Sequence, residues 1–138
     1  MNKFAIGFRW AVVAGILQDW FFALPGIFIP SALLQFAKAD PVAPPIWPAY
    51  ASLLLMLLSF FYIPAAIDPF RYSAFAVFTV IARVGGVIFF FLLYPGAFPP
   101  LFGYIDLTLT LLQGSLLVLA LLAAGPKVPE SAPATIVR

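Results

Sequence analysis

The chain has 138 residues, of which 64% are apolar and 9% charged, with a formal net charge of +2. Soluble domains average about 45–50% apolar and about 25% charged. A fold this small leaves much of its surface outside the core, so the composition excludes both disorder and an ordinary water-soluble globule. His and Cys are absent. That excludes imidazole and thiolate metal ligands, His-ligated haem, Cys-ligated iron–sulfur clusters, thiol redox chemistry and nucleophilic triads built on those side chains.

A helix needs about 20 mainly apolar residues to cross a bilayer. Proline, glycine and charge divide this chain into four such stretches. Span one is expected over Arg9 to Ile29, ending before Pro30. Its basic start resembles a signal peptide, but Gln18-Asp19 interrupts the apolar run and no A-x-A site follows, so it is expected to be a retained span. A proline-rich connection, Pro30–Pro48, follows. Pro41, Pro44, Pro45 and Pro48 favour an extended path there. Span two is expected over Trp47 to Ile67, closed by a turn at Asp68-Pro69. Span three runs from Tyr72 to Tyr94, before Pro95-Gly96, and span four from Pro100 to Ala124, before Gly125-Pro126. In hydrocarbon each segment must satisfy its own backbone, so helices are expected despite many Phe, Val and Ile residues. The strand alternation of a membrane barrel is not seen in SLLLMLLSFF. The fold class expected is an all-α integral membrane protein, four transmembrane helices in an antiparallel bundle. Residues 1–126 form one domain and 127–138 a polar tail.

Four spans place the N-terminus, the 68–71 turn and the C-terminal tail on one side. Lys3, Arg9, Arg71, Lys127 and Arg138 lie there, against Lys38 alone on the other side. The excess of cations puts both termini in the cytoplasm. Trp10 and Tyr72 fall at the inner interface, and Trp47, Tyr50, Tyr94 and Tyr104 at the outer one. No basic cluster suits a nucleic acid. Asp40 and Glu130 read as solvated loop residues.

Three charged residues fall at membrane depth: Asp19, Arg83 and Asp106. At about 1.5 Å per residue, Asp19 and Arg83 lie roughly 15 Å from the inner face and Asp106 roughly 9 Å below the outer face. Unpaired charges there cost about 2.5–3.5 kcal/mol each on insertion scales. A bundle-facing network of Asp19, Arg83, Asp106 and Gln113 is therefore expected. Gly7, Ala11, Gly15 and Asp19 share one small-residue face, Asp106, Thr110 and Gln113 another, and Thr79, Arg83 and Gly86 a third. Such a network either fixes helix register, binds a ligand or carries protons or ions. Arg83, Tyr104, Asp106 and Gln113 would be the ligand-binding candidates. No catalytic motif and no metal site is evident. At the Asp68-Pro69-Phe70-Arg71-Tyr72 cluster, Asp and Pro suit the first two positions of a type I turn. Arg71 and Tyr72 would anchor span three at the head groups or dock a partner.

The segment Ala65-Ala66-Ile67-Asp68-Pro69-Phe70-Arg71-Tyr72 is similar to the A-x-D-P-x-R-Y turn of small bacterial four-span proteins grouped as DoxX-like. Arg83 and Asp106 match a basic residue in span three and an Asp near the start of the last span. The resemblance covers about residues 46–120. It implies a compact four-helix bundle in a bacterial inner membrane and an association with quinone-linked oxidoreduction. The fold is carried over here and the reaction is not.

Three functions follow as expectations. The first is a non-catalytic accessory subunit of a larger membrane complex, respiratory or otherwise redox, partnered by lipids and other integral membrane subunits. The second is a quinone- or lipid-binding component of an oxidoreductase, the quinone or lipid held without covalent attachment. The third is an oligomeric small-solute transporter, for which no broken-helix repeat pair is evident.

Overall fold

The computed structural model describes residues 1–96 and 100–125, which form six α-helices and one π-helical turn, with no strand among the described residues. The helices are α1 (Lys3–Phe28), α2 (Pro30–Phe36), α3 (Ile46–Phe60), α4 (Ile63–Ile67), α5 (Ser73–Ile88, continued by the π turn Phe89–Leu93) and α6 (Pro100–Ala124). Three segments are long and apolar enough to cross a membrane: Lys3–Phe28, Ser73–Leu93 and Pro100–Ala124. The architecture is compatible with a helical membrane protein. The tail 127–138, with Lys127, Glu130 and Arg138, lies outside the described residues.

α1 starts six residues before the expected span. The Asn2 side chain accepts the Ala5 N–H at 2.9 Å and its amide donates to Ala120 O at 2.9 Å. One residue thus caps α1 and ties it to the end of α6. Beyond Ile29 the structure departs from the expected extended loop. Residues 30–36 form α2, with Pro30 at its first turn, where a missing N–H costs nothing. The proline-rich remainder is non-helical until Ile46.

The stretch expected as span two, Trp47 to Ile67, forms two helices, α3 and α4. α3 has 15 residues, about 22 Å of rise, short of a hydrocarbon core of about 30 Å. Pro64 is the reason for the break. It has no N–H to give Phe60 O, and its ring crowds that carbonyl. The chain tightens instead, Phe61 N–H donating to Leu58 O and Tyr62 N–H to Ser59 O, both at 3.0 Å. α4 then resumes at Ile63, and Tyr62 at the junction is buried, 2% exposed. α6 covers the residues expected of span four. Gly125 follows it at φ +69°, a left-handed conformation that stops a helix without side-chain strain.

α1 packs against α3, α4 and α6, and α5 packs against α4 and α6. Close approach of α1 to its neighbours depends on small residues. A Cβ on Gly26 would collide with the Ser52 hydroxyl of α3, and one on Gly7 would press Leu116 of α6. Trp20 Nε1 donates to Ser59 Oγ at 2.6 Å, and that hydroxyl donates to Met56 O at 2.7 Å. The interior is layered along the bundle. Phe8, Val12, Tyr62, Ala65, Ala76 and Leu117 form an apolar cluster. Farther along α1, Phe22 meets Phe102 edge-on at 5.2 Å, and Phe90 stacks on Phe102 at 5.9 Å. A polar layer lies between these two.

Candidate functional site

Arg83 is the centre of the polar layer. It projects from α5 on the same face as Ala76 and Thr79, both fully buried, while Ile81 and Val84 face outward. Its Nη2 donates to Asp19 Oδ2 at 2.7 Å and to the Gly15 carbonyl at 3.3 Å. Its Nη1 donates to Asp106 Oδ1 at 3.0 Å and to Gln18 Oε1 at 3.4 Å. The ring of Tyr62 lies 5.6 Å from the guanidinium, a cation–π contact supplied by the Pro64 break. One side chain of α5 thereby touches two turns of α1, the first part of α6 and the α3–α4 junction.

Glycines make the approach feasible. The Cα of Gly15 faces both Arg83 Nη2 and the Gln113 amide, which would stand 3.1 and 3.0 Å from an added Cβ. On α5, Gly86 leaves the space that the Asp106 carboxylate occupies, and a Cβ there would overlap Asp106 Oδ2. Gln113 donates to the Ala11 carbonyl at 3.0 Å, so it ties α6 to α1 about two turns from the ion-paired carboxylates. Thr79 returns its hydroxyl to Phe75 O at 2.8 Å within α5.

Burial is uneven across the cluster. The Asp19 side chain is 1% exposed, that of Arg83 5%, and that of Asp106 16%. Asp106 is therefore the edge of the site. Among the described residues, Asp19 Oδ1, Arg83 Nε, Thr110 Oγ1 and Gln113 Oε1 are buried polar atoms without a hydrogen-bond partner. Three of these belong to residues that also hold the cluster together. A metal ion does not suit it, because the guanidinium already occupies the cationic position between the carboxylates.

The structure thus brings Asp19, Arg83, Asp106 and Gln113 into one layer and leaves Tyr104 out of it. Tyr104 precedes Asp106 by two residues, about 200° around the helix, and is exposed beside Phe91 at 5.3 Å. Asp68, Arg71 and Tyr72 are also separate, in the turn before α5. There Asp68 Oδ1 accepts the N–H groups of Phe70 at 3.0 Å and Arg71 at 3.1 Å. Arg71 stacks over the Tyr72 ring at 5.5 Å.

Sequence reasoning did not include Gln18 or Tyr62 among the site residues. Gln18 could have been found, since it adjoins Asp19 in an otherwise apolar run. Tyr62 gives no such signal, because its place depends on how the α3–α4 junction packs against α5. The comparisons add no relative: no family model, no curated protein and no solved structure matches the chain.

Proposed function

We propose that the chain is a four-span protein of the bacterial inner membrane, a DoxX-like bundle with both termini in the cytoplasm. In this reading it serves as a non-catalytic accessory subunit of a larger membrane complex. The observation that carries the structural role is the use of Arg83. Both its terminal nitrogens are spent on groups of the same chain, on α1 and α6. Such a cluster fixes the register of three helices against each other. The broad exposed apolar surface, which includes Trp10, Phe21, Leu92 and Leu122, supports contact with lipid and with other membrane helices. α3 with α4 would complete the fourth crossing, Ile46 to Ile67 together.

The test is mild solubilisation from native membranes, crosslinking, and mass spectrometry of what remains attached. A stoichiometric integral membrane partner is expected. A monodisperse bundle with no partner overturns the reading.

A second reading is favoured by the unpartnered Asp19 Oδ1, Arg83 Nε and Gln113 Oε1 beside the partly exposed Asp106. These groups would take the polar head of a quinone or lipid from the Asp106 side. Saturable binding of a ubiquinone analogue, lost in Asp106→Ala, is the expected result. Absence of saturable binding to the purified protein removes this reading.

A further inference from the structure

The polar layer is unbalanced in charge. α1 and α6 bring one carboxylate each, Asp19 and Asp106, and α5 brings one guanidinium, Arg83. Tyr62 at the α3–α4 junction and the amides of Gln18 and Gln113 are the uncharged polar groups around them. With both carboxyls ionised the layer carries one uncompensated negative charge. Among the described residues no second cation meets it, since both ion pairs belong to Arg83. Arg9 donates to Ala66 O at 2.7 Å, Lys3 lies over the Phe4 ring at 5.2 Å, and Arg71 lies over the Tyr72 ring at 5.5 Å in the turn before α5. Lys38 is exposed between α2 and α3.

Hydrogen bonding is short in the same place. An ionised carboxylate offers about four acceptor sites. Asp19 receives one donor, Arg83 Nη2 at 2.7 Å, and its Oδ1 is buried without a partner. Asp106 receives Arg83 Nη1 at 3.0 Å on Oδ1, and its Oδ2 fills the space that Gly86 leaves. Away from water, a negative charge with so few donors is costly. Two carboxylates that share one site relieve that cost by keeping a proton between them. Arg83 cannot supply the balance, because a guanidinium is already fully protonated.

We propose that the Asp19–Arg83–Asp106 cluster is a proton-binding site, which holds one proton on its carboxyl pair and exchanges it through Asp106. With the proton bound the layer is neutral: one carboxylate is paired with the guanidinium and the other carboxyl is an acid. Asp106 is the point of exchange because its side chain is 16% exposed, against 1% for Asp19. The cluster then takes up and releases a ligand of its own, besides fixing helix register. The proposal rests on membrane embedding. It is independent of the accessory role and of quinone binding, since loss of either leaves the charge count of the layer as it is.

The test is infrared spectroscopy of the full chain in a maltoside detergent at neutral pH, with and without a carbon-13 label on the Asp side-chain carboxyls. The carbonyl stretch of a carboxylic acid is separate from those of ionised carboxylates and amides, and the label distinguishes it from lipid esters. Wild-type protein is expected to show a labelled acid band equivalent to one proton per chain, shifted on transfer to D2O. Asp19→Asn and Asp106→Asn should each abolish the band, because each leaves one carboxylate to one guanidinium. Both keep an acceptor for Arg83 and the volume of the side chain. Asp40→Asn, at an exposed position before α3, should leave the band unchanged. Absence of the band from the wild type overturns the proposal whatever the variants do. So does a band that survives in either Asp19→Asn or Asp106→Asn. A wild-type band that does not shift in D2O overturns exchange through Asp106.

Discussion

Arg83 shows how one residue can be required for a fold and yet be costly on its own. Two carboxylates and two neutral acceptors surround it, and removing it leaves the buried Asp19 and the largely buried Asp106 without their cation. Breaking a buried ion pair by removing one partner typically costs about 3–5 kcal/mol. Arg83→Leu is therefore expected to lower thermal stability in detergent by that order, read by circular dichroism at the helix band. An unchanged midpoint would falsify the claim that this cluster holds the bundle. Gly86 gives a sharper test, because its substitution removes no charge. An added methyl must displace the Asp106 carboxylate, and overpacking of this kind costs about 1–3 kcal/mol. Gly86→Ala should destabilise the protein, whereas Gly85→Ala, with open space around its Cα, should not.

At the scale of elements, breaks matter as much as helices. The turn between α4 and α5 is set by Asp68, whose side chain accepts two backbone N–H groups and whose carbonyl accepts the Tyr72 N–H at 3.0 Å. The bond from the Arg71 N–H, with that from Phe70 and the charges of Arg71 and Arg9, holds the Asp68 carboxyl below the usual carboxylate range against desolvation. A carboxylate with a depressed folded pKa stabilises the turn above its unfolded pKa, and that stability is lost as pH falls through the folded value. Amide protection of Phe70 and Arg71, corrected for intrinsic exchange, should hold at neutral pH. It should decline once the solution falls below the ordinary Asp range, near about 3.9. In Asp68→Asn the amide oxygen still accepts these bonds, so the acid-dependent loss should disappear. Pro64 acts at the same scale. It ends α3 early and turns Tyr62 beneath the guanidinium, so the break builds part of the site.

At the scale of the molecule, the absence of Cys provides a clean test of orientation. Single cysteines at Asp40 and at Ser73 should react with a membrane-impermeant maleimide from opposite sides of sealed vesicles. Four crossings with cytoplasmic termini require Asp40 to label from outside and Ser73 only after the vesicles are opened. Labelling of both from one side leaves three crossings, with α3 and α4 lying within one leaflet. The three long helices meet the length requirement alone, so this experiment decides the role of α3 and α4.

Composition and spacing determined much of the element plan. Apolar runs between proline, glycine and charge set the extent of α6 and the end of α1, because a backbone in hydrocarbon has no option but to pair with itself. Comparable depths for Asp19 and Arg83 followed from counting residues along a helix of fixed rise. The sequence alone also singled out Asp19, Arg83 and Asp106 as charges within long apolar runs. Tertiary structure decided what depth cannot: which faces meet. Rotation of each helix put Tyr104 outside and Gln18 inside, and backbone space at Gly15 and Gly86 set how near Arg83 and Asp106 approach their neighbours. It also placed Tyr62, at the junction of α3 and α4, against the guanidinium. Those outcomes depend on packing among distant segments, and a one-dimensional pattern carries the period of a helix without the identity of the surface it meets.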